Sequence, residues 1–238
     1  MTIALFMAAG VGSRIATEIA GLPKCLLPIA GKPNLTRNIE FLRNEHQIES
    51  VVTVGYQHEL VKNTAVSSGA TTVTNYDFRE NNSIVSLFLA LEKVAHDQDI
   101  LIFNADVCFD FSLFRHLEKY SEYVGMLADS TRKIEADYKL IWNLDLEISE
   151  YGKNIDASLA SGEYVGFAKI PATFVPQLVE KINEYLKAGY TSKWWEEVIF
   201  ENSYLFKAKA IDVAGEFWSE FDYLADYKRA EEYFRFKN

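Results

Sequence analysis

Apolar runs and helical patterns alternate through the first third of the chain. Three short runs of apolar and β-branched residues predict strands at residues 2–6, 50–54 and 71–74. Between them, Leu35, Ile39 and Leu42 recur at helical spacing and predict a helix that ends near His46, and residues 57–65 predict a shorter helix. This βαβαβ order predicts a parallel sheet covered by helices, with ligands bound at the carboxyl ends of the strands.

The later part of the chain mixes strands, helices and one hairpin pattern. A fourth strand is predicted at residues 99–103, between a helix that begins near Ser83 and a helix at 111–120. A hairpin is predicted from residues 138–143 and 146–151. The other predicted strands are 123–128, 163–170, 206–213 and 218–222, and the other predicted helices are 173–187, 193–202 and 224–235. The predicted fold class is α/β, with a Rossmann-like, doubly wound, mainly parallel sheet and a small antiparallel extension over the active site.

The composition is that of a chain with one large core. With 238 residues, 49% of them hydrophobic, residues 1–238 are expected to form a single domain. No apolar stretch is long enough to span a bilayer and no signal-peptide pattern is present, which predicts a cytoplasmic protein without membrane insertion. Cys25 and Cys108 are too few for a disulfide framework or a zinc cluster. The net charge of −10 disfavours nucleic acid as a partner.

The segment after the first strand carries the strongest chemical signal. Small residues, Gly10 and Gly12 among them, let the backbone approach an anion and offer it several N–H groups. Arg14 closes this loop, and Lys24 adds a second cation after Pro23. The third glycine of a dinucleotide-binding motif is missing, and no glycine precedes Lys24 as a P-loop requires. The segment therefore predicts a polyphosphate site that is neither an NAD site nor a P-loop.

This combination resembles a known family. The motif A-A-G-x-G-S/T-R, followed by P-K and a G-K-P turn, is similar to that of nucleotidyltransferases of the GT-A-like fold, and the later motifs resemble CTP cytidylyltransferases of the phosphocholine and aminoalkylphosphonate type. The resemblance implies that Arg14 and Lys24 act on the phosphates as catalytic residues. It implies that the main chain of the glycine loop holds the nucleotide, through Ala8, Ala9, Gly10, Val11, Gly12 and Ser13.

Two further motifs extend the resemblance to the base and the metal. The segment N-Y-x-x-x-x-N-N-x-x-x-S-L implies that Asn82 and Ser86 contact the base, although both could simply cap or solvate the start of a helix. Asp106 follows a buried strand, and Asp222 lies in an E-F-D segment before the last helix. The resemblance implies that these two carboxylates hold Mg²⁺ on the triphosphate, with Glu220 beside them.

The acceptor site is expected within residues 130–205. Its candidate residues are mostly aromatic, and an aromatic cage is the usual receptor for a quaternary ammonium. The candidates are Trp142, Lys153, Tyr164, Trp194, Trp195 and Glu220, with Tyr190 and Trp218 as further aromatic residues. Trp194 and Trp195 are consecutive on a helix, so both cannot enter the same core. Glu163, Glu196 and Glu197 would suit a primary ammonium instead.

The expected reaction joins CTP to a small phosphate or phosphonate and releases pyrophosphate. Phosphocholine is the first candidate acceptor, and 2-aminoethylphosphonate and phosphoethanolamine remain open. The main alternative is a sugar-1-phosphate nucleotidyltransferase, although the E-K-P segment usual in those enzymes is missing. A glycosyltransferase would normally contain D-x-D, and a non-catalytic nucleotide-binding regulator could lose Lys24, Asp106 or Asp222. The expected assembly is a monomer or a homodimer.

Overall fold

The computed structural model describes residues 1–117 and 122–237. In these residues a nine-stranded sheet forms the centre, and four further strands form two separate two-stranded sheets. The strands are β1 (Thr2–Ala8), β2 (Pro28–Ile29), β3 (Lys32–Pro33), β4 (Glu49–Val54), β5 (Thr71–Thr74), β6 (Asp99–Asn104), β7 (Val107–Phe109), β8 (Gly125–Asp129), β9 (Lys139–Trp142), β10 (Ile148–Gly152), β11 (Gly162–Ile170), β12 (Lys209–Asp212) and β13 (Trp218–Glu220). The helices are α1 (Asn34–His46), α2 (His58–Ser67), α3 (Ser83–Leu91), α4 (Val175–Lys187), α5 (Trp195–Glu201), α6 (Ser203–Phe206) and α7 (Leu224–Lys237).

One half of the sheet is parallel and follows the predicted order of elements. Strands β6, β1, β4 and β5 lie side by side, and Leu5 of β1 pairs with Val51 on one side and Ile102 on the other. The chain therefore builds outward from β1 in one direction and then returns to its other side at β6. This reversal is the switch point at which doubly wound sheets bind ligands. The predicted fold class is confirmed.

The other half of the sheet is mostly antiparallel, with β12 parallel to β8, and it turns on a kink in β11. The last residues of this strand pair with β6, Gly162 and Glu163 at its start pair with β9, and β8 pairs with both ends of the strand. The register with β8 shifts between Tyr164 and Ala168, and Gly166 lies there with a φ of +91°. A Cβ at this glycine would also lie 2.9 Å from Val107 Cγ2, so both conformation and space favour glycine. The kink turns Tyr164 toward the end of the parallel strands.

Apolar side chains cover both faces of the sheet. On one face Phe6 stacks on Phe103 with ring centroids 4.9 Å apart, and α1 packs there through Leu35. On the other face α3, α4 and α5 bury residues such as Leu178 and Trp195. Fully burying side chains of this size contributes about 1.5–3 kcal/mol each, so these helices are fixed by their packing on the sheet.

The predicted hairpin is confirmed, because β9 and β10 pair antiparallel. Some predicted bounds were wrong. Strand β1 continues through Ala8, two residues beyond the predicted end at residue 6. The segment predicted as a helix at 111–120 begins as a 3-10 helix at Phe111–His116, capped by Asp110, and residues 118–121 lie outside the described part of the chain. No helix within the described residues is long and apolar enough to cross a membrane.

The region around α5 and β12 also differs from the prediction. Helix α5 begins at Trp195 and ends at Glu201, and α6 follows it at once. Lys207 then adopts a left-handed conformation with a φ of +46°, which ends α6 and delays the strand predicted at residue 206 until Lys209. The segment predicted as a strand at 218–222 ends at Glu220, where β13 leaves its pairing with β7. Asp222 therefore lies beyond the strand.

Candidate active site

A cavity of about 450 Å³ opens at the carboxyl ends of β1 and β6, beside the kink of β11. Most of the predicted site residues line it. They are Ala9, Gly10, Gly12, Ser13, Arg14, Lys24, Asn82, Ser86, Asp106, Lys153, Tyr164, Trp194, Glu220 and Asp222. Residues far apart in the sequence therefore meet in one cavity, as Arg14 and Asp222 do across 208 positions. No histidine or cysteine is found among the described residues that line it. These residues therefore contain no cysteine nucleophile and no histidine that could activate a serine.

Alternating charges form a continuous chain across this cavity, referred to below as the ion-pair chain. Lys153 contacts Asp137 at 2.6 Å, and Asp137 lies 3.8 Å from Arg14. Arg14 contacts Asp222, and Lys24 Nζ donates to Asp222 Oδ1 at 2.5 Å and to Asp106 Oδ2 at 3.2 Å. The three cations and three carboxylates of the chain thus neutralise one another, in order Lys153, Asp137, Arg14, Asp222, Lys24 and Asp106.

The glycine loop fixes the position of Lys24. Gly12 has a φ of +64°, and a Cβ at this position would lie 2.7 Å from Cγ and Cε of Lys24. The lysine stem therefore lies across the face of Gly12, in space that any other residue would occupy. By contrast, a Cβ at Gly10 would meet no atom within 4 Å, so the backbone there faces open space. The loop thus positions one cation and leaves room for a ligand above it.

Three carboxylates converge beside Lys24. Oxygen atoms of Asp106, Glu220 and Asp222 all lie within 4.8 Å of one another. Burial tends to raise the pKa of Asp222, but the charges of Lys24 and Arg14 outweigh it and the net pKa is lowered. Burial, and then the charges of Asp106 and Asp222, raise the pKa of Glu220 well above its ordinary value. Hard oxygen donors that crowd one another in this way fit a small divalent cation such as Mg²⁺.

A cluster of polar side chains lines the cavity between the end of β5 and the first turns of α3. Asn75 Nδ2 donates to Asn81 Oδ1 at 2.8 Å and to Ser86 Oγ at 3.1 Å. The Asn82 side chain forms two hydrogen bonds within the protein. Its Oδ1 caps α3 by accepting from Ser83 N at 2.8 Å, and its Nδ2 donates to the Ser192 carbonyl at 3.2 Å. Both Asn82 and Ser86 line the cavity, and their contact with a base stays a prediction.

Another part of the cavity lining, referred to below as the aromatic wall, consists of the rings of Tyr138, Tyr164 and Trp194 together with Glu196. The rings of Tyr138 and Trp194 lie 5.5 Å apart, and those of Tyr138 and Tyr164 lie 6.4 Å apart. The carboxyl of Glu196 is buried among them. Burial raises its pKa to about 8, and the charges of Glu197 and Asp106 act in the same direction.

The two consecutive tryptophans separate as predicted, but helical spacing is not the reason, because Trp194 precedes α5 in an extended conformation. Trp195 is fully buried, and its Nε1 donates to Asn104 Oδ1 at 2.9 Å at the end of β6. The placement of Trp195 in the acceptor site is therefore wrong, because the indole belongs to the core. Trp194 lies one position earlier, before the first turn of α5, and lines the cavity.

Several other predicted site residues lie away from the cavity. Ala8 is a buried residue of β1, and Val11 is not part of the lining. Trp142 packs from β9 against the core, and its ring occupies the space that a Cβ on Gly162 would need. Trp218 is also structural, because its Nε1 donates to the buried Asp129 at 2.9 Å. Tyr190 is 54% exposed and packs on Tyr185. Each of these aromatic residues makes its contacts outside the cavity, and its position in the sequence alone did not reveal those contacts.

Of the three glutamates proposed for a primary ammonium, two form contacts within the fold and one lines the cavity. Glu163 is held by Arg132 at 2.9 Å and accepts from Asp137 N at 2.7 Å. Glu197 Oε2 accepts from Trp194 N at 2.7 Å and so closes the start of α5. Glu196 alone of these three lines the cavity.

Sequence reasoning missed several lining residues, notably Asn75, Asn81, Asn104, Asp137 and Tyr138. Asn75 and Asn81 belong to the motif that pointed to Asn82 and Ser86, so the motif itself could have identified them. Asp137 and Tyr138 precede β9 and carry no motif. They reach the cavity because β9 pairs with the first residues of β11, a long-range contact that no local pattern specifies.

Comparisons with known proteins agree with this geometry. Residues 4–197 match the family of MobA-like NTP transferase domains. The chain is 33% identical over 128 residues to a choline-phosphate cytidylyltransferase of Haemophilus influenzae, a match that covers 54% of each protein. It is 32% identical over 129 residues to a CMP-5'-(3-aminopropyl)phosphonate synthase of Streptomyces rubellomurinus, a match that covers 52% of this chain and 20% of that protein. The aligned part thus spans about half, or less, of the length of these relatives.

A solved structure extends the likeness over the whole chain. The CTP:phosphocholine cytidylyltransferase of Streptococcus pneumoniae superposes with a TM-score of 0.79 at 20% sequence identity, and the match covers 98% of both chains. At this identity the superposition supports the fold alone. Any argument about the chemistry therefore rests on the geometry of the cavity.

Proposed function

The chain belongs to the family of MobA-like NTP transferase domains, and we propose that it is a cytidylyltransferase that joins CTP to a small phosphate or phosphonate. The proposal rests above all on one observation. Arg14 and Lys24 meet Asp106 and Asp222 at an open glycine loop, at the switch point of the sheet. The names of the two relatives, each of which makes a cytidylyl product, support CTP as the nucleotide.

The reaction that fits this cavity is a displacement at the α-phosphorus of CTP. An oxygen of the acceptor phosphate forms a bond to that phosphorus, and the bond to the bridging oxygen of pyrophosphate breaks. The acceptor is anionic at neutral pH, so the step needs no general base. It needs charge neutralisation and in-line positioning, because two anions must approach each other.

The residues of the charged end have distinct parts in this step. Lys24 has an 11% exposed side chain held in place by Gly12, and it would face the α-phosphate. Arg14 is 44% exposed and would hold the outer phosphates. Its guanidinium can donate two parallel hydrogen bonds to phosphate oxygens. Both cations now contact carboxylates, so binding of the nucleotide would exchange those partners for phosphate oxygens.

Asp106 and Asp222 would hold Mg²⁺, with Glu220 beside them. When bound, Mg²⁺ would screen the negative charges of the triphosphate. Within the protein, Lys24 already lies between the two aspartates and lowers the pKa of Asp222, which keeps this carboxylate ionised and ready for a cation.

The test is pyrophosphate release by the purified protein with Mg²⁺ and each nucleoside triphosphate. The acceptor panel contains phosphocholine, phosphoethanolamine, 2-aminoethylphosphonate, glycerol 3-phosphate and sugar 1-phosphates. We expect turnover with CTP and a head-group phosphate or phosphonate. Turnover confined to sugar 1-phosphates would instead support the sugar nucleotidyltransferase. Nucleotide binding without turnover on the whole panel would contradict the proposal.

A further inference from the structure

One carboxyl oxygen in the aromatic wall lacks a hydrogen-bond partner among the described residues. Glu196 is only 6% exposed, and its Oε2 has no hydrogen-bond partner among the described residues. It lies in the first turn of α5, but the capping of that helix is done by Glu197, which accepts from Trp194 N at 2.7 Å. Burying a carboxyl group without a partner costs free energy. The unpartnered Oε2 of Glu196 is therefore an unfavourable contribution to folding, and it belongs to a residue that lines the cavity.

The neighbouring cation does not supply the missing partner. Lys153 lies with its Nζ 4.8 Å from the centre of the Trp194 ring, and the same Nζ donates to Asp137 Oδ2 at 2.6 Å. The Tyr164 hydroxyl is buried and also lacks a partner among the described residues. Two buried polar atoms of the same wall are thus left without hydrogen bonds among the described residues, and both belong to residues that line the cavity.

The orphaned oxygen distinguishes between kinds of head group. A quaternary ammonium carries a positive charge but no N–H, so it could sit against the rings without giving Glu196 a hydrogen bond. A primary or secondary ammonium has the same charge and also donates. The rings of Tyr138 and Trp194 would contact both kinds of ammonium. Glu196 would gain a hydrogen-bond partner only from the primary or secondary ammonium.

We infer that the acceptor phosphate or phosphonate carries an N–H-bearing ammonium group, and that Glu196 accepts its hydrogen bond. This inference rests on the proposed function, because it names the class of acceptor for the same cavity. It makes Glu196 a specificity-determining residue, and it places phosphocholine below phosphoethanolamine and 2-aminoethylphosphonate as a substrate.

A methylation series tests the inference at constant charge. Phosphoethanolamine and its N-methyl, N,N-dimethyl and N,N,N-trimethyl forms keep one positive charge and lose one N–H at each step. Binding to the wild-type protein is measured by calorimetry, and turnover is measured by pyrophosphate release with CTP. We expect affinity and kcat/KM to fall by about 10- to 100-fold at the last methylation, which removes the last donor. Glycerol 3-phosphate, which is uncharged at this end, should bind more weakly than the primary amine.

Matched variants assign the effect to Glu196. Glu196→Gln should reduce the preference for the primary amine over phosphocholine to within about threefold, since a neutral amide cannot ionise beside a bound ammonium as a carboxyl can. Glu180→Gln changes an exposed glutamate on α4 and should leave the preference intact. Glu196→Leu should leave the thermal midpoint unchanged or raise it, because an unpartnered buried carboxyl is removed.

Three outcomes would overturn the inference and leave the proposed function standing. They are phosphocholine being bound and used as well as phosphoethanolamine, Glu196→Gln keeping the full preference of the wild type, or Glu196→Leu unfolding at a much lower temperature. Failure of the proposed function looks different, because then no acceptor of either kind would release pyrophosphate from CTP. That result would overturn both.

Discussion

The charged end of the cavity and its aromatic wall satisfy their polar groups in opposite ways. In the ion-pair chain each charged group has an oppositely charged neighbour, as when Lys24 contacts both Asp106 and Asp222. In the aromatic wall Glu196 Oε2 and the Tyr164 hydroxyl have no partner among the described residues. The first region is complete without a ligand, and the second region is not.

This difference suggests how each region binds its ligand. A triphosphate and a cation can enter the charged end only by exchange, because each must replace an ion pair that already exists. A head group enters the aromatic wall by addition, because it supplies hydrogen bonds that the fold lacks. We therefore expect changes at the charged end to affect the rate of the reaction, and changes in the wall to affect selectivity and stability.

The largest effect is expected from removing the central cation of the ion-pair chain. Lys24→Met should lower kcat/KM by about 10²–10³-fold, because Lys24 would stabilise charge at the α-phosphate. The measurement is pyrophosphate release with CTP and the best acceptor. Lys32→Met is the control, since Lys32 is 58% exposed and forms an ion pair with Glu40 at 2.6 Å, away from the cavity. Loss of less than tenfold in Lys24→Met would contradict the role given to this lysine.

The second prediction concerns the pH dependence of stability in the aromatic wall. Burial raises the pKa of Glu196 from 4.5 to about 8 in the folded protein. The folded state therefore holds this proton more tightly than the unfolded state. Its contribution to the free energy of unfolding is full below pH 4.5, falls as the pH rises, and is lost above about pH 8. The loss should amount to roughly 2–4 kcal/mol.

Urea denaturation at several pH values between 5 and 8.5 checks this prediction. Glu196→Gln does not titrate, so the wild type should lose stability relative to this variant as the pH rises. Glu197, Asp106 and Lys153 act on the same carboxyl, but they are present in both proteins and largely cancel in the difference. A constant difference between the two proteins across this range would show that Glu196 is not buried in the manner described.

The third prediction tests how the loop positions Lys24. Gly12→Ala should lower kcat/KM by about tenfold or more, because the new Cβ would overlap the lysine stem at 2.7 Å. Gly31→Ala is the matched control: Gly31 also has a positive φ of 81°, but a Cβ there meets nothing within 4 Å. Both variants should lose about 1 kcal/mol of stability from backbone strain. Equal activity of the two variants would mean that the contact with Lys24 is unimportant.

The smallest effect is expected between the two regions, at the start of α3. Asn82→Ala should cost about 1 kcal/mol of stability, because the side chain caps the helix by accepting from Ser83 N at 2.8 Å. Asn82→Asp keeps the accepting oxygen and should recover most of this loss. If Asn82 also contacts the base, the alanine variant will change the ratio of KM values for CTP and UTP. An unchanged ratio would leave capping as its role.

Much of the parallel half could be predicted from local patterns. The periodicity of Leu35, Ile39 and Leu42 predicted α1, and the β-branched run at Thr71–Thr74 became β5 without change. The glycines predicted the ligand loop, since their conformational freedom is a local property. In contrast, the bounds of α5, α6 and β12 were missed, because they depend on packing rather than on propensity.

The sequence by itself determined the order of the elements and the glycine loop with its two cations. These features follow from backbone geometry and from the spacing of residues along a helix or a strand. Only the tertiary structure decided that Trp195 is the buried one, that Asp137 links Arg14 to Lys153, and that Glu196 lacks a partner. Such facts depend on which distant segments meet, since Arg14 and Asp222 are 208 positions apart and become neighbours only when the sheet closes the cavity.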